Sequence, residues 1–574
     1  MRRLLRYLGP SRPALALMVA LAAGNAACQT GGWLLVRDAI DGGIARHDAG
    51  RLTVVVIAYL AVAAVGWVLQ LWLIRGLAVI GQRVVLGLRR ALFDHLTALS
   101  LRYFSQQKAG WIIARLTSDV DAVSDTLSEG MPVLLSNVVL LPVAVVTLLI
   151  ADWRLGLVVL AIVPPAVILS RWYQRTSSVA LVETRNRIAA VTAQIAESVA
   201  GMAVIQAFRR ERAFQAQFDE LNIANLEQGV YTQKIFSIFF PSIEFLGVVA
   251  TVAVLYAGER LLAGHSLTIG TLVIALYLLQ LCFQPLQALS DVYGQLQASA
   301  AAMVKIGAIL EEETEIHDAP AARELPRIEG ELVIDDVSFS YGADPVLHGI
   351  EITVSVGGCL ALVGESGGGK STLARLVGRF FDPQGGAVRV DGVDLREVRL
   401  RSYRRQMGVV LQDPFLFSGT IASNIRFARP DATDAEVASV AAAVGVDRVA
   451  ARLSGGLEHE VREGGSGLSA GERQLISIAR ALLADPRILI LDEATSNIDR
   501  PTEVVIEAAL DRLLHGRTSI IVAHRLSTVR RADEIVVLEH GRIVQRGSER
   551  ELLAEDGPFR ALAHDLEAAP AADG

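Results

Sequence analysis

Six apolar stretches within the first half of the chain constrain its fold more than any other feature. They cover roughly 14–36, 53–74, 131–150, 155–173, 235–257 and 268–289. Each is close to the ~20 apolar residues that an α-helix needs to cross ~30 Å of hydrocarbon. A backbone in that medium has no water to bond, so a helix, which satisfies its own N–H and C=O groups, is the available form. Where Pro164, Pro165, Pro241 and Pro285 interrupt these stretches, neighbouring helices must satisfy the freed carbonyls. Composition agrees: 52% of the 574 residues are hydrophobic, 20% are charged, and the mean hydropathy is +0.41.

The first stretch imitates a secretory signal, because Arg2, Arg3 and Arg6 precede an apolar core that reaches Ala26-Ala27-Cys28. A lipoprotein cleavage site prefers a branched apolar residue three before the cysteine, whereas Asn25 stands there, and the apolar run continues through Trp33-Leu34-Leu35. It therefore reads as a retained span. The three cysteines, at 28, 282 and 359, are too few for a disulfide framework and read as small buried hydrophobes.

Connector charge sets the orientation. Arg75, Arg83, Arg89, Arg90, Arg102, Lys108 and Arg115 lie between the second and third spans. Arg171, Arg175, Arg185, Arg187, Arg209, Arg210, Arg212 and Lys234 lie between or flank the fourth and fifth. The two short opposite turns carry only Arg154 and Arg260, while Arg37, Arg46 and Arg51 in the first outer loop weaken the contrast without reversing it. Positive residues stay inside, which puts the long connectors and both termini in the cytoplasm. Both connectors keep helical periodicity with few breakers, so the spans are expected to continue as cytoplasmic helices tipped by short turns. Segments 103–121 and 204–214 are then the expected contact points for a cytoplasmic domain. The net charge of −7, spread over both halves, gives no support to a nucleic-acid surface.

After the sixth span, the acidic, breaker-rich stretch from Glu311 to Pro326 reads as a linker, and an alternating strand follows at 331–341. An α/β pattern then runs to about residue 565. Within it, Leu360-Ala361-Leu362-Val363 leads into Gly364-Glu365-Ser366-Gly367-Gly368-Gly369-Lys370-Ser371-Thr372. Strand, glycine-rich loop and helix start make a phosphate-binding P-loop, whose backbone N–H groups and helix terminus favour an anion. Lys370 can reach β/γ-phosphates, and the Ser371 hydroxyl can join a Mg²⁺ ion. The second apolar strand, Ile488-Leu489-Ile490-Leu491, ends in Asp492-Glu493. Asp492 fits a metal-bridging carboxylate and Glu493 a group that polarises an attacking water, so the pair points to ATP or GTP hydrolysis.

Further motifs make a specific resemblance. Leu468-Ser469-Ala470-Gly471-Glu472-Arg473-Gln474 is similar to the signature of the ATP-binding cassette (ABC) superfamily. Gln412 resembles its Q-loop glutamine and metal contact, Ser496-Asn497-Ile498-Asp499 its D-loop, and His524 its switch histidine. Tyr341 stands where that family stacks an aromatic ring on adenine. Tyr103-Phe104, Gly110 and Arg115 to Val120 resemble the first coupling helix and its flanks. Any one of these has a plain structural reading: Tyr341 as core, His524 as a hydrogen-bonding residue, Ser469 as a helix N-cap. Together they resemble an exporter-fold half-transporter, an all-α six-helix membrane domain with long cytoplasmic helical extensions followed by an α/β P-loop ATP-binding cassette. The expected layout is a tail at 1–13, a transmembrane domain at 14–310, a linker at 311–330, a cassette at 331–566 and a tail at 567–574.

The resemblance implies ATP and Mg²⁺ as cofactors and a second half-transporter as partner, because Ser469 and Gly471 of one signature close on ATP held by the other P-loop. Here Ala470 and Glu472 depart from the usual Leu-Ser-Gly-Gly-Gln, and Asn497 replaces a commoner alanine. A carboxylate near bound phosphates is unfavourable. With its own P-loop, Asp492, Glu493 and His524 intact, the chain resembles the catalytic-glutamate half of a heterodimer. The expected function is ATP-driven export or flipping of a hydrophobic or amphipathic small molecule, lipid or peptide in the plasma membrane of a bacterium. An importer on the same fold and a regulatory membrane ATPase are the alternatives; a soluble protein acting on nucleic acid is excluded by the six spans. Glu244 is the one acid well inside a span, and Asn25, Gln29, Gln70, Asn137, Gln280 and Gln284 are the amides that either line a cavity or join helices.

Overall fold

Without water to satisfy it, the backbone of the apolar half closes on itself throughout. The structure is a computed structural model, and it describes residues 12–263, 267–342, 344–492, 500–523 and 525–568. The six expected spans lie in the helices Arg12–Asp38, Ala49–Ala98, Met131–Ala151, Trp153–Ala200, Glu211–Ala263 and Ile269–Leu310. Among the described residues, Ala49–Ala98, Ala109–Ala151, Trp153–Ala200 and Glu211–Ala263 are long and apolar enough to cross a membrane by length and composition, and Ile269–Phe283 is a shorter apolar part of the last helix. Pro142, Pro164, Pro165 and Pro241 all fall inside unbroken helices. At 1.5 Å per residue, the 50-residue Ala49–Ala98 helix is about 75 Å long, more than twice the hydrocarbon thickness. The span thus does continue into its connector as one helix.

Two units divide the chain: 1–97 with 109–312, and 98–108 with 313–574. In the first, Leu140, Ala144 and Leu148 recur every fourth residue and form a buried stripe with Leu155, Ala250, Val254 and Leu278. Polar side chains fasten its helix ends. Asp41 accepts hydrogen bonds from the Gly270 amide (2.9 Å) and the Thr268 hydroxyl (2.6 Å), at the start of the helix Ile269–Leu310. Asp119 is held by Arg115 at 2.6 Å and Lys305 at 3.6 Å.

The second unit contains a six-stranded sheet. Its strands are β3 (Cys359–Val363), β6 (Met407–Val410), β9 (Ile488–Asp492), β10 (Thr518–Val522), β11 (Glu534–Glu539) and β12 (Arg542–Gly547), in the order β12-β11-β3-β10-β9-β6. Only β12 runs antiparallel to its neighbour. Successive β3 residues alternate faces: Leu360 and Leu362 join one core, Ala361 and Val363 the other. Both faces are covered, which is why these strands read as continuous apolar runs. A second, antiparallel sheet has the order β2-β1-β4-β5, from β1 (Leu332–Ser340), β2 (Pro345–Val354), β4 (Gly385–Val390) and β5 (Val393–Asp394). A small pair joins β7 (Gly419–Thr420) to β8 (Glu460–Val461). The segment 98–108, grouped with this unit, contains Arg102, which pairs with Glu315 at 3.2 Å and lies over the Phe381 ring at 5.9 Å.

Candidate functional site

Sheet register brings the site together. Leu362 of β3 faces Val522 of β10, Val522 faces Asp492 of β9, and Leu491 faces Val410 of β6. The parallel strands therefore end along one edge, where the chain leads into the P-loop, to Asp492 and, two residues beyond Val410, to Gln412. Ligands of parallel sheets bind outside such carboxyl ends. Glu493, Asp499 and His524 lie outside the described residues.

The P-loop takes its shape from glycine. Gly364, Gly367 and Gly369 have φ of 137°, 88° and 101°, conformations that a side chain strongly disfavours. A Cβ on Gly364 would overlap the Leu538 carbonyl oxygen, and one on Gly369 would stand 2.6 Å from Leu347 Cδ2. The helix Lys370–Val377 starts directly after Gly369. Glu365, Ser366 and Gly367 form the exposed crest, whereas Gly368, Gly369 and Lys370 are buried. The Lys370 ammonium donates to the carbonyls of Gly364 (2.7 Å) and Glu365 (2.8 Å). Burial pushes its pKa below the usual lysine value, and the Asp492 carboxylate offsets part of that effect. A phosphate would restore the lost solvation, so the loop is arranged to attract an anion. Ser371 follows in the first turn, half-buried.

Tyr341 packs edge-on against Phe339 and Phe381. Its hydroxyl lies 3.2 Å from Thr372 Oγ1 and receives a hydrogen bond from Arg375 at 3.2 Å. The ring is therefore tied to the P-loop helix.

Gln412 is exposed at the start of a loop whose far end is clamped. Asn424, 2% exposed, exchanges two hydrogen bonds with the Phe417 backbone at 2.9 and 2.8 Å. Arg480 donates to the carbonyls of Asn424 (2.9 Å) and Phe415 (3.1 Å). Since Arg480 belongs to the helix Ala470–Leu483, that helix and the Gln412 loop are mechanically joined. Neither Asn424 nor Arg480 was identifiable from local pattern.

The signature opens the same helix. Ser469 is its N-cap: its hydroxyl accepts from the Glu472 amide at 3.2 Å, while Glu472 Oε2 accepts from the Ser469 amide at 2.9 Å. This reciprocal capping box is encoded by the Ser-x-x-Glu spacing. Ala470 is the first helical residue, so its methyl group introduces no backbone strain, and Gly471 is buried in the same turn. The other Glu472 oxygen pairs with Arg452 at 3.0 Å. The Glu472 charge, unfavourable beside bound phosphates, has a cation next to it, supplied from twenty residues earlier in the chain.

Both halves match known families. Residues 15–286 match the ABC transporter transmembrane region, and residues 347–496 match the ABC transporter family. The chain is 38% identical over 490 residues to an uncharacterized ABC transporter ATP-binding protein of Bacillus subtilis, covering 85% of this chain and 81% of that one. It is 34% identical over 570 residues to an ATP-dependent lipid A-core flippase of Syntrophus aciditrophicus, covering 99% and 94%. A multidrug efflux ATP-binding/permease protein of Mycobacterium bovis is 37% identical over 566 residues, which are 98% of this chain and 47% of that longer protein. The chain belongs to the ABC transporter family, as an exporter-type half-transporter in which a multi-pass plasma-membrane region and a cytoplasmic ATP-hydrolysing cassette share one polypeptide.

Proposed function

We propose that this chain is the catalytic-glutamate half of a heterodimeric exporter that moves or flips a hydrophobic or amphipathic molecule. The transmembrane domain occupies 14–310, a linker 311–330 and the cassette 331–566, flanked by tails at 1–13 and 567–574. ATP sits on Gly364 to Thr372 with its adenine against Tyr341. Ser371, Gln412 and Asp492 are hard oxygen donors suited to Mg²⁺, which when bound neutralises charge on the β- and γ-phosphates. Glu493 polarises the attacking water and His524 contacts the γ-phosphate; Asp499 serves the cassette interface. Ser469 and Gly471 complete the partner's site, and the segments 103–121 and 204–214 pass cassette closure to the spans. The observation that carries the reading is the strand register, which aligns the ends of β3, β6, β9 and β10 along one edge.

Relatives named for multidrug efflux and lipid A-core flipping support outward movement over import. Ala470, Glu472 and Asn497 support an unequal pair, with the productive site on this chain's P-loop. A homodimer is the second reading, favoured by one observation: Glu472 is occupied by the capping box and by Arg452. ATP turnover of the chain purified alone separates them. The heterodimer predicts slow turnover that rises when the partner half is added, whereas brisk turnover abolished by Glu493→Gln would establish the homodimer.

A further inference from the structure

Four of the amides noted in the spans can be compared, the Gln284 side chain lying outside the described residues. Asn137 donates to the Val133 carbonyl of its own helix at 2.8 Å. Asn25, Gln29 and Gln70 instead line a single cavity of about 270 Å³ between the helices Arg12–Asp38, Ala49–Ala98 and Ile269–Leu310. None of these three side chains has a hydrogen-bond partner among the described residues, although Asn25 is only 6% exposed. Amide groups that face a cavity with no protein partner can bond a complementary guest with both donor and acceptor. Gly66 lets the first two helices approach closely beside the cavity, since a Cβ there would stand 3.2 Å from Cys28 Cβ and 3.7 Å from Asn25 Oδ1.

The rest of the wall is largely aromatic. Trp33 and Tyr277 stack with centroids 3.5 Å apart, and Trp67 of the second helix also lines the cavity. Among the described residues, no Asp, Glu, Lys, Arg or His lines the cavity. A carboxylate or phosphate entering it would lose hydration without meeting a cation. Flat π-faces together with unpaired amide donors and acceptors suit a different kind of guest.

We propose that this cavity recognises the transported molecule and takes uncharged, planar aromatic compounds that carry hydrogen-bonding groups. The inference rests on the transporter reading but concerns binding alone, so the two can fail separately. Nile red, a neutral planar dye with carbonyl and ring-nitrogen acceptors, is the probe; anilinonaphthalene sulfonate and palmitate are the anionic comparators. With the full chain in lipid nanodiscs, Nile red binds saturably above the lipid background and neither anion displaces it. Asn25→Leu weakens binding about fivefold, the worth of one buried hydrogen bond. Gln70→Leu, at an exposed position on another helix, weakens it too and covers the case in which Asn25→Leu does not fold. Equal binding by wild type and both variants, or displacement by either anion, overturns the site. Saturable Nile red binding without any ATP-dependent flux of the dye would leave the site standing and count against the transporter reading.

Discussion

The Arg452 guanidinium lies 3.0 Å from the Glu472 carboxylate, beside the N-terminus of the signature helix. Glu472 also closes a capping box with Ser469, so each of its oxygens has a partner. The pair places a cation next to the one acid that departs from the family signature. That cation is largely exposed, so its effect is modest and sensitive to salt.

Removing the cation should uncover the conflict with phosphate. Arg452→Ala is expected to weaken ATP binding of the assembled dimer, at the site this signature completes, about twofold to fivefold, as befits an exposed pair. Adding Glu472→Gln in that background should recover most of the loss, because the amide can still cap the helix while losing the charge. Nucleotide titration of the three assembled proteins at low and high salt measures this. Equal affinities in Arg452→Ala and wild type at low salt would remove the compensating role.

Gly364 is the least replaceable residue of the P-loop. Its φ of 137° and the Leu538 carbonyl oxygen leave no place for a methyl group. Gly364→Ala is expected to weaken ATP binding by about tenfold or more, combining backbone strain with loop displacement. Nucleotide titration by fluorescence checks it, with circular dichroism to show that the cassette remains folded. Unaltered affinity would mean that the loop has another way to hold phosphate.

Much of this was legible in the sequence, for local reasons. A bilayer imposes a length of about 20 apolar residues, so the spans announce themselves. The P-loop is nine consecutive residues between a strand and a helix, and the Ser-x-x-Glu cap is four. What stayed hidden depends on distant chain segments meeting. Arg452 and Glu472 are twenty residues apart, Asn424 and Arg480 fifty-six, and Asn25, Gln70 and Tyr277 come from three different helices. Such contacts follow from packing, which no short window encodes. The sequence shows a Glu472 carboxylate that is unfavourable beside phosphate, but a window around it contains no hint of Arg452.

Cys359 opens the strand that leads into the P-loop, yet it should be chemically quiet. Burial pushes its thiol up to about 12; Asp533 adds to this and Arg531 opposes it. A raised pKa leaves the neutral thiol in place until the pH approaches that value, so at pH 8 only about one molecule in ten thousand is thiolate. N-ethylmaleimide at pH 7–8 should leave the Cys359 peptide unlabelled by mass spectrometry in the native protein, and labelling should rise about tenfold per pH unit. Rapid labelling at pH 7 would contradict the buried setting.

The central claim is that hydrolysis at this chain's own cassette drives movement through its spans. The most direct test is ATP-dependent Nile red accumulation in inside-out vesicles bearing this chain with its partner half, compared with the same vesicles carrying Glu493→Gln. The account predicts uptake with wild type and none with Glu493→Gln, while both still bind ATP. Equal uptake by the two, or rapid ATP turnover by wild type with no uptake, would contradict it.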